Sequence, residues 1–318
     1  MAHRYQTYPV PFDRGNHLIE ACRTGNLRDL KALLGGDRGD LSPNTEVNQT
    51  SPLIEACRTG NFQVAQTLLN DPRTNPNIEI EKTTPLIESI KNDLPDIVEM
   101  LLDSGAKDSS ITLARHWGEQ PAKGYKAFTF AASVGSKDVV AMLLRRRLKV
   151  NYKDHFGRTA LWWAAQGGHE AVVRLLLANK ADVNVVDETP STALLGAVDE
   201  GHTHIVRILL EAGADVEARG AGGQTGQTPL LVAAQRDLLD TVVVLLQHGA
   251  DIDRGNRRQR TALMVAVLNG FPRMVLTLLR HGADMRLVDE RGLRALDYAR
   301  REQDQEIIDI LERAVGSS

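Results

Sequence analysis

Two short stretches carry residue types from which a chemical site could be built. "HTH" at 202–204 offers two imidazoles, and "GAGGQTG" at 220–226 offers a glycine-rich turn. Neither meets the geometry its chemistry needs. On a helix, residues two apart point away from each other, so His202 and His204 make a poor metal pair. A dinucleotide loop needs G-x-G-x-x-G between a strand and a helix, and 220–226 has another spacing. The chain holds 9 histidines, scattered, and no Ser-His-Asp or Cys-His grouping is recognisable. The expectation is a chain with no catalytic residue, no metal site and no cofactor.

The bulk composition points the same way. Of 318 residues 42 % are apolar, yet only 4 % are aromatic. Leu, Ala and Val carry the apolar content, which suits short, closely packed helices. A formal charge of −3 argues against whole-surface attraction to nucleic acid, so any basic effect is local. The only cysteines, Cys22 and Cys57, cannot build a disulfide framework. Unpaired thiols suggest an intracellular home, cytoplasmic and/or nuclear. The first residues, "MAHRYQTYPVPFDRGN", lack the apolar run of a signal peptide, and no stretch reaches the roughly 18 apolar residues of a membrane helix.

What organises the chain is repetition. "LIEACRTGN" stands at 18–26 and again at 53–61. "GRTALWWAAQGGHEAVVRLLLANKADVN" at 157–184 is matched position by position by "PSTALLGAVDEGHTHIVRILLEAGADVE" at 190–217, and related units begin at 226 and 259. Units aligned on their opening residue start at Asn16, Ser51, Thr84, Lys126, Thr159, Thr192, Thr228, Thr261 and Arg294. Within one unit Leu161, Ala164 and Ala165 form a narrow helical stripe, Gly168 ends that helix, and Val172, Val173, Leu175 and Leu176 face inward from a second. One such unit cannot bury its apolar face alone, whereas stacked neighbours can. Cys22 and Cys57 occupy a small-residue slot of the first helix and read as small buried hydrophobes.

"TPL" at 84–86 and 228–230, "GH" at 168–169 and 201–202, and "GAD" at 213–215, 249–251 and 282–284 make the chain resemble the ankyrin repeat. The resemblance implies an all-α ankyrin-repeat solenoid of stacked helix-turn-helix units with finger-like β-turn or hairpin loops. Residues 1–15 then form an extended lead-in, 16–314 the repeat domain, and 315–318 a tail, with a loop insertion at about 109–124. That insertion holds Trp117 and leads to Tyr125. The family often places a histidine one residue after "TPL"; here no histidine stands there, so apolar contact should replace its hydrogen bond.

The resemblance also implies a binding scaffold or adaptor whose contacts lie on the first helices and finger tips. The residue two past the "TPL" leucine lies about 200° around the helix from it and should face a groove. That slot reads Glu20, Glu55, Glu88, Phe130, Trp163, Gly196, Val232, Val265 and Tyr298. The recurring glutamates should build an acidic stripe, and Phe130, Trp162 and Trp163 an aromatic anchor under His155, Phe156 and Arg158 of one finger. Tyr125 joins the candidate set from the insertion. Arg257, Arg258 and Arg260 of the finger "NRRQR" should form a basic end that attracts an acidic or phosphorylated part of a protein or peptide partner. Nucleic-acid or phosphate binding through those arginines is the second reading, and an enzyme or small-molecule binder using the aromatic groove is the third.

Overall fold

A computed structural model describes residues 13–35, 41–107, 111–113, 122–125, 127–220 and 226–316. Among these residues there are eighteen helices and one two-stranded ribbon. They fall into two units, 1–131 with 138–143, and 132–137 with 144–318.

The first unit opens with three helix pairs: α1 (Arg14–Thr24) and α2 (Leu27–Leu34), α3 (Pro52–Thr59) and α4 (Phe62–Leu69), α5 (Pro85–Lys91) and α6 (Pro95–Asp103). The first helix of each pair packs on the first helix of the next, and the second on the second. Strands β1 (Ile111–Leu113) and β2 (Ala122–Tyr125) follow as an antiparallel ribbon in which Ile111 pairs with Tyr125 and Leu113 with Ala122. The insertion expected as a loop is therefore partly a hairpin; Trp117 and the anchor Lys126 lie outside the described residues. Helices α7 (Ala127–Val134) and α8 (Lys137–Arg145) contribute to both units.

The second unit continues with α9 (Ala160–Gln166), α10 (Glu170–Ala178), α11 (Ala193–Asp199), α12 (Thr203–Glu211), α13 (Pro229–Gln235) and α14 (Leu239–Gln247). It ends with α15 (Ala262–Leu268), α16 (Pro272–Arg280), α17 (Ala295–Glu302) and α18 (Gln305–Gly316). The odd-numbered helices stack in one row and the even-numbered in another.

Local chemistry sets the helix starts. The side chains of Ser51, Thr84, Thr159, Thr192, Thr228 and Thr261 each accept from the amide three residues on, which satisfies an orphan donor and contributes about 1 kcal/mol per helix. At α1 the Asp13 carboxylate accepts from Gly15 and Asn16, so the cap is Asp13 and the first helix begins at Arg14, three residues earlier than the repeat register suggests. The last helix runs to Gly316, two residues past the expected end of the repeats.

Between the rows of helices the core is made of small and aliphatic side chains. Leu161, Ala164, Ala165, Val172, Val173 and Leu176 are buried, while Leu175 keeps some exposure. Cys22 and Cys57 are free thiols with no exposure at all. Burial, helped by Glu55, pushes the Cys22 thiol up to about 12; burial pushes Cys57 up as well. Neither is a nucleophile at neutral pH.

The slot after the "TPL" leucine is apolar and buried at Trp162, Leu195, Leu231 and Met264, as expected. Hydrogen bonding between repeats nonetheless occurs from another position. His169 Nε2 donates to the Ser133 carbonyl and His202 Nε2 to that of Gln166, both at 3.0 Å. The His202 ring lies over Gly168, whose φ is +77° and where an added Cβ would meet that ring at 2.8 Å. Glycine is needed there for conformation and for space.

A second link runs between the turns. Asn184 Oδ1 accepts from the Asp215 amide, and its Nδ2 donates to the Gly213 carbonyl. One repeat on, Glu217 accepts from Asp251, and after it Asp253 accepts from Asp284. Those carboxylates keep the accepting half of the bridge and have no donor for the other half.

Candidate functional site

The fingers are of two kinds. In the first unit Val47 bridges Thr50 and Ile80 bridges Thr83, with Asn48, Gln49, Glu81 and Lys82 all at positive φ. These are two-residue turns of the mirror-image type, which Asn tolerates best. In the second unit an Asx residue holds each described finger together. Asp154 Oδ1 accepts from the amides of Phe156 and Arg158, both at 2.9 Å. Asp187, Asn256 and Asp289 do the same for the amides two and four residues on.

The residue in the groove slot ties its helix to the finger before it. Thr50 and Thr83 donate to Glu55 and Glu88, the latter at 2.7 Å. Trp163 Nε1 donates to Asp154 Oδ2 at 2.8 Å, and the Tyr298 hydroxyl donates to Asp289 Oδ2. The slot therefore points at the finger as much as at the groove, and its exposure varies along the chain.

The expected acidic stripe is corrected by this geometry. Glu55 is buried, and Arg23 and Arg58 reach its two oxygens at 2.9 and 3.0 Å. Glu20 pairs with Arg23, while Glu88 lies 3.7 Å from Arg58 and 3.4 Å from Lys91. Three glutamates and three cations alternate, so the row carries no net charge. Burial pushes the Glu88 carboxyl up, but the Thr83 hydroxyl and the Lys91 and Arg58 charges outweigh it and hold the group below the usual carboxylate range. The recurrence in "LIEACRTGN" thus places an acid and a cation where neighbouring copies pair.

Two aromatic residues of the expected anchor are also corrected. Phe130 has no exposed surface, because its slot in α7 faces the packed interior. Trp162 is buried as well, and its indole N–H has no acceptor among the described residues. Tyr125 lies in β2 rather than in a loop.

The remaining residues of that finger do come together. His155 and Phe156 meet at a tilt of 43° with ring centroids 3.8 Å apart, and Trp162 and Trp163 meet edge to face at 4.9 Å. The Arg158 guanidinium carbon sits 3.9 Å from the Trp162 ring centroid, 5.1 Å from that of Trp163 and 5.3 Å from that of Phe156. Its Nε is 3.0 Å from the buried Asp187 carboxylate. Burial pushes Asp187 up, yet the Ser191 amide, the Thr189 hydroxyl and Arg158 hold it below the usual range. His155 is exposed; Phe156 and Trp163 are partly so. The result is a ring cluster with a guanidinium at its centre, locked to two fingers.

Of the C-terminal arginines, Arg260 is 3.6 Å from Asp289 and lies over the Tyr298 ring. Arg258 is 3.8 Å from Glu290, and neighbouring Arg254 and Arg286 pair with Glu217 and Asp284. Arg257 is exposed. The free basic end is therefore smaller than the sequence suggests.

Missing from the sequence reading were the finger acids Asp154, Asp187 and Asp289. Their signal is an Asp five residues before the opening residue of a unit, at 154, 187 and 289 before Thr159, Thr192 and Arg294. Among the described residues no three His, Cys, Asp or Glu side chains gather as a metal site, and no helix is long and apolar enough to cross a membrane.

Comparison with known proteins agrees with this architecture. A search of curated proteins returned no match. Among solved structures, a chain of the Bd0816 predatory endopeptidase from Bdellovibrio bacteriovorus in complex with immunity protein Bd3460 is similar, with 30 % identity and a TM-score of 0.56. The match covers 60 % of this chain and 99 % of that one. The family models for ankyrin repeats in three copies match residues 18–112, 110–187, 128–220 and 177–256, and the model for many copies matches 245–299. With nearly every helix pair inside those spans, the chain belongs to the ankyrin-repeat family.

Proposed function

We propose that this chain is a non-catalytic binding scaffold that holds a protein partner against its first helices and fingers. The observation that carries the reading is the cluster of Trp163, Phe156 and His155 around Arg158. Partly exposed aromatic rings held rigid by buried carboxylates are what an interface anchor needs, because aromatics and arginine dominate interface energies and little ordering cost remains. The repeat family, whose modules bind proteins, and the likeness to a chain from a two-protein complex support the same reading. Affinity capture with the full chain, followed by mass spectrometry, identifies the partner. Trp163→Ala should then weaken the recovered partner by about 2 kcal/mol while leaving helix content unchanged. Capture of the same partner at equal affinity by the variant rejects this anchor.

The alternative of nucleic-acid or phosphate binding by the C-terminal fingers loses support from the pairing of Arg258 and Arg260. Of that set, only Arg257 is exposed and has no acid partner among the described residues.

A further inference from the structure

Two finger pairs of the second unit are built to one plan, 102 residues apart, and differ in charge. In both, the first Asx caps its own loop and the next finger's acid receives an arginine: Arg158 to Asp187, and Arg260 to Asp289. In both, the residue after that acid donates its amide to the preceding finger: Glu188 to the Phe156 carbonyl at 2.9 Å, and Glu290 to that of Arg258 at 3.0 Å. The side chains in these matched positions diverge. Arg258 neutralises Glu290. Phe156, in the equivalent position, offers Glu188 no charge, and Glu188 is exposed with no cation partner among the described residues. Asp154 stands where the other pair has the neutral Asn256, and among the described residues its second oxygen receives only the Trp163 N–H. Positions 154–158 and 187–189 together hold three carboxylates and one guanidinium; positions 256–260 and 289–291 hold four guanidiniums and two carboxylates.

We propose that the finger pair 154–158 and 187–189, with Trp163, is a docking patch for a basic protein segment, a lysine or arginine whose charge meets Glu188 and whose aliphatic stem lies on Phe156 and Trp163. This rests on the reading of the chain as a binding scaffold and names the chemistry of its partner. The argument is charge complementarity on a scaffold position where the same fold, elsewhere in the same unit, supplies the missing cation itself. The partly exposed rings of Phe156 and Trp163 add attraction for a cation, and the aliphatic stem of a lysine or arginine supplies apolar contact.

The test uses two labelled probes, a peptide of alternating lysine and leucine and its counterpart with glutamate for lysine, followed by fluorescence anisotropy. The wild-type chain should prefer the lysine peptide, and the preference should shrink as salt is raised. Phe156→Arg rebuilds the Arg258–Glu290 arrangement and should weaken the lysine peptide about tenfold or more. Glu188→Gln removes the charge at an exposed position that carries no side-chain hydrogen bond to the fold, and should weaken it severalfold even if Phe156→Arg folds poorly. Equal affinity of the wild type and Glu188→Gln for the lysine peptide, or preference for the glutamate peptide, overturns the proposal. Should the captured partner bind all three proteins alike, this patch is wrong while the scaffold reading stands. Should nothing be captured while the lysine peptide still discriminates, the patch stands and the natural occupant is a free peptide.

Discussion

The groove slot performs one task in two chemical languages. In the first unit Glu55 and Glu88 accept from finger threonines and alternate with Arg23, Arg58 and Lys91. In the second unit Trp163 and Tyr298 donate to finger aspartates, and arginines bridge one finger to the next. Donor and acceptor have exchanged places. In the first unit Glu55 is buried too, but the cations that meet the glutamates lie on half-exposed arms, where water shares the work. In the second the carboxylates are buried and their bonds are to fixed amides and rings. Removal of one partner should therefore cost far more in the second unit than in the first.

The largest effect is expected at Asp187. Asp187→Ala strips two backbone amides and the Thr189 hydroxyl of their acceptor and leaves Arg158 unpaired among rings. A loss of about 3 kcal/mol follows, read by urea denaturation. A loss under about 1 kcal/mol, no larger than for an exposed pair, would erase the contrast between the units.

Acid separates the same groups. Burial works against ionisation of Asp187 and Asp289, but their amide, hydroxyl and arginine partners hold both below the usual carboxylate range. Glu88 is depressed as well. A group with a depressed folded pKa stabilises the fold above its unfolded pKa, about 4, and loses that contribution as pH falls through the folded value. Thermal stability should be flat from neutral pH to about 5 and decline below about 4. A decline that begins near pH 6 would contradict the assignment of acid stability to these carboxylates.

Glu55→Ala should cost about 1 kcal/mol, because Arg23 and Arg58 are half exposed and rehydrate. Denaturation in high salt should shrink that cost, whereas the cost of Asp187→Ala should hardly change. The smallest effect is a gain. Asp253→Asn restores the donating half of the bridge that Asn184 makes, and should raise stability by about 0.5–1 kcal/mol in the same assay. No gain would mean that the half-made bridge is already satisfied by water.

Helix starts, turn glycines and the burial of Cys22 and Cys57 were legible in the sequence because each depends on chemistry within a few residues: a threonine cap, a positive φ, a small slot. The slot between the helices and the fingers was legible only in position. Phe130 and Trp163 occupy equivalent places, yet one is sealed and the other partly exposed, because exposure depends on the side chains packed above it. Arg23 and Glu55 lie 32 residues apart, and a single helical wheel does not show that the arginine of one copy meets the glutamate of the next. The His169 and His202 bonds went unforeseen for a similar reason: the acceptor is a carbonyl in the preceding repeat, which carries no residue signature.

Hydrogen exchange on the chain with its captured partner tests the central claim most directly. The account predicts slowed exchange at 154–163 and 187–189 when the partner is bound, with the second helices α10 and α12 unchanged. Protection confined to α10 and α12, with none across the Asp154–Trp163 finger and helix, would contradict it.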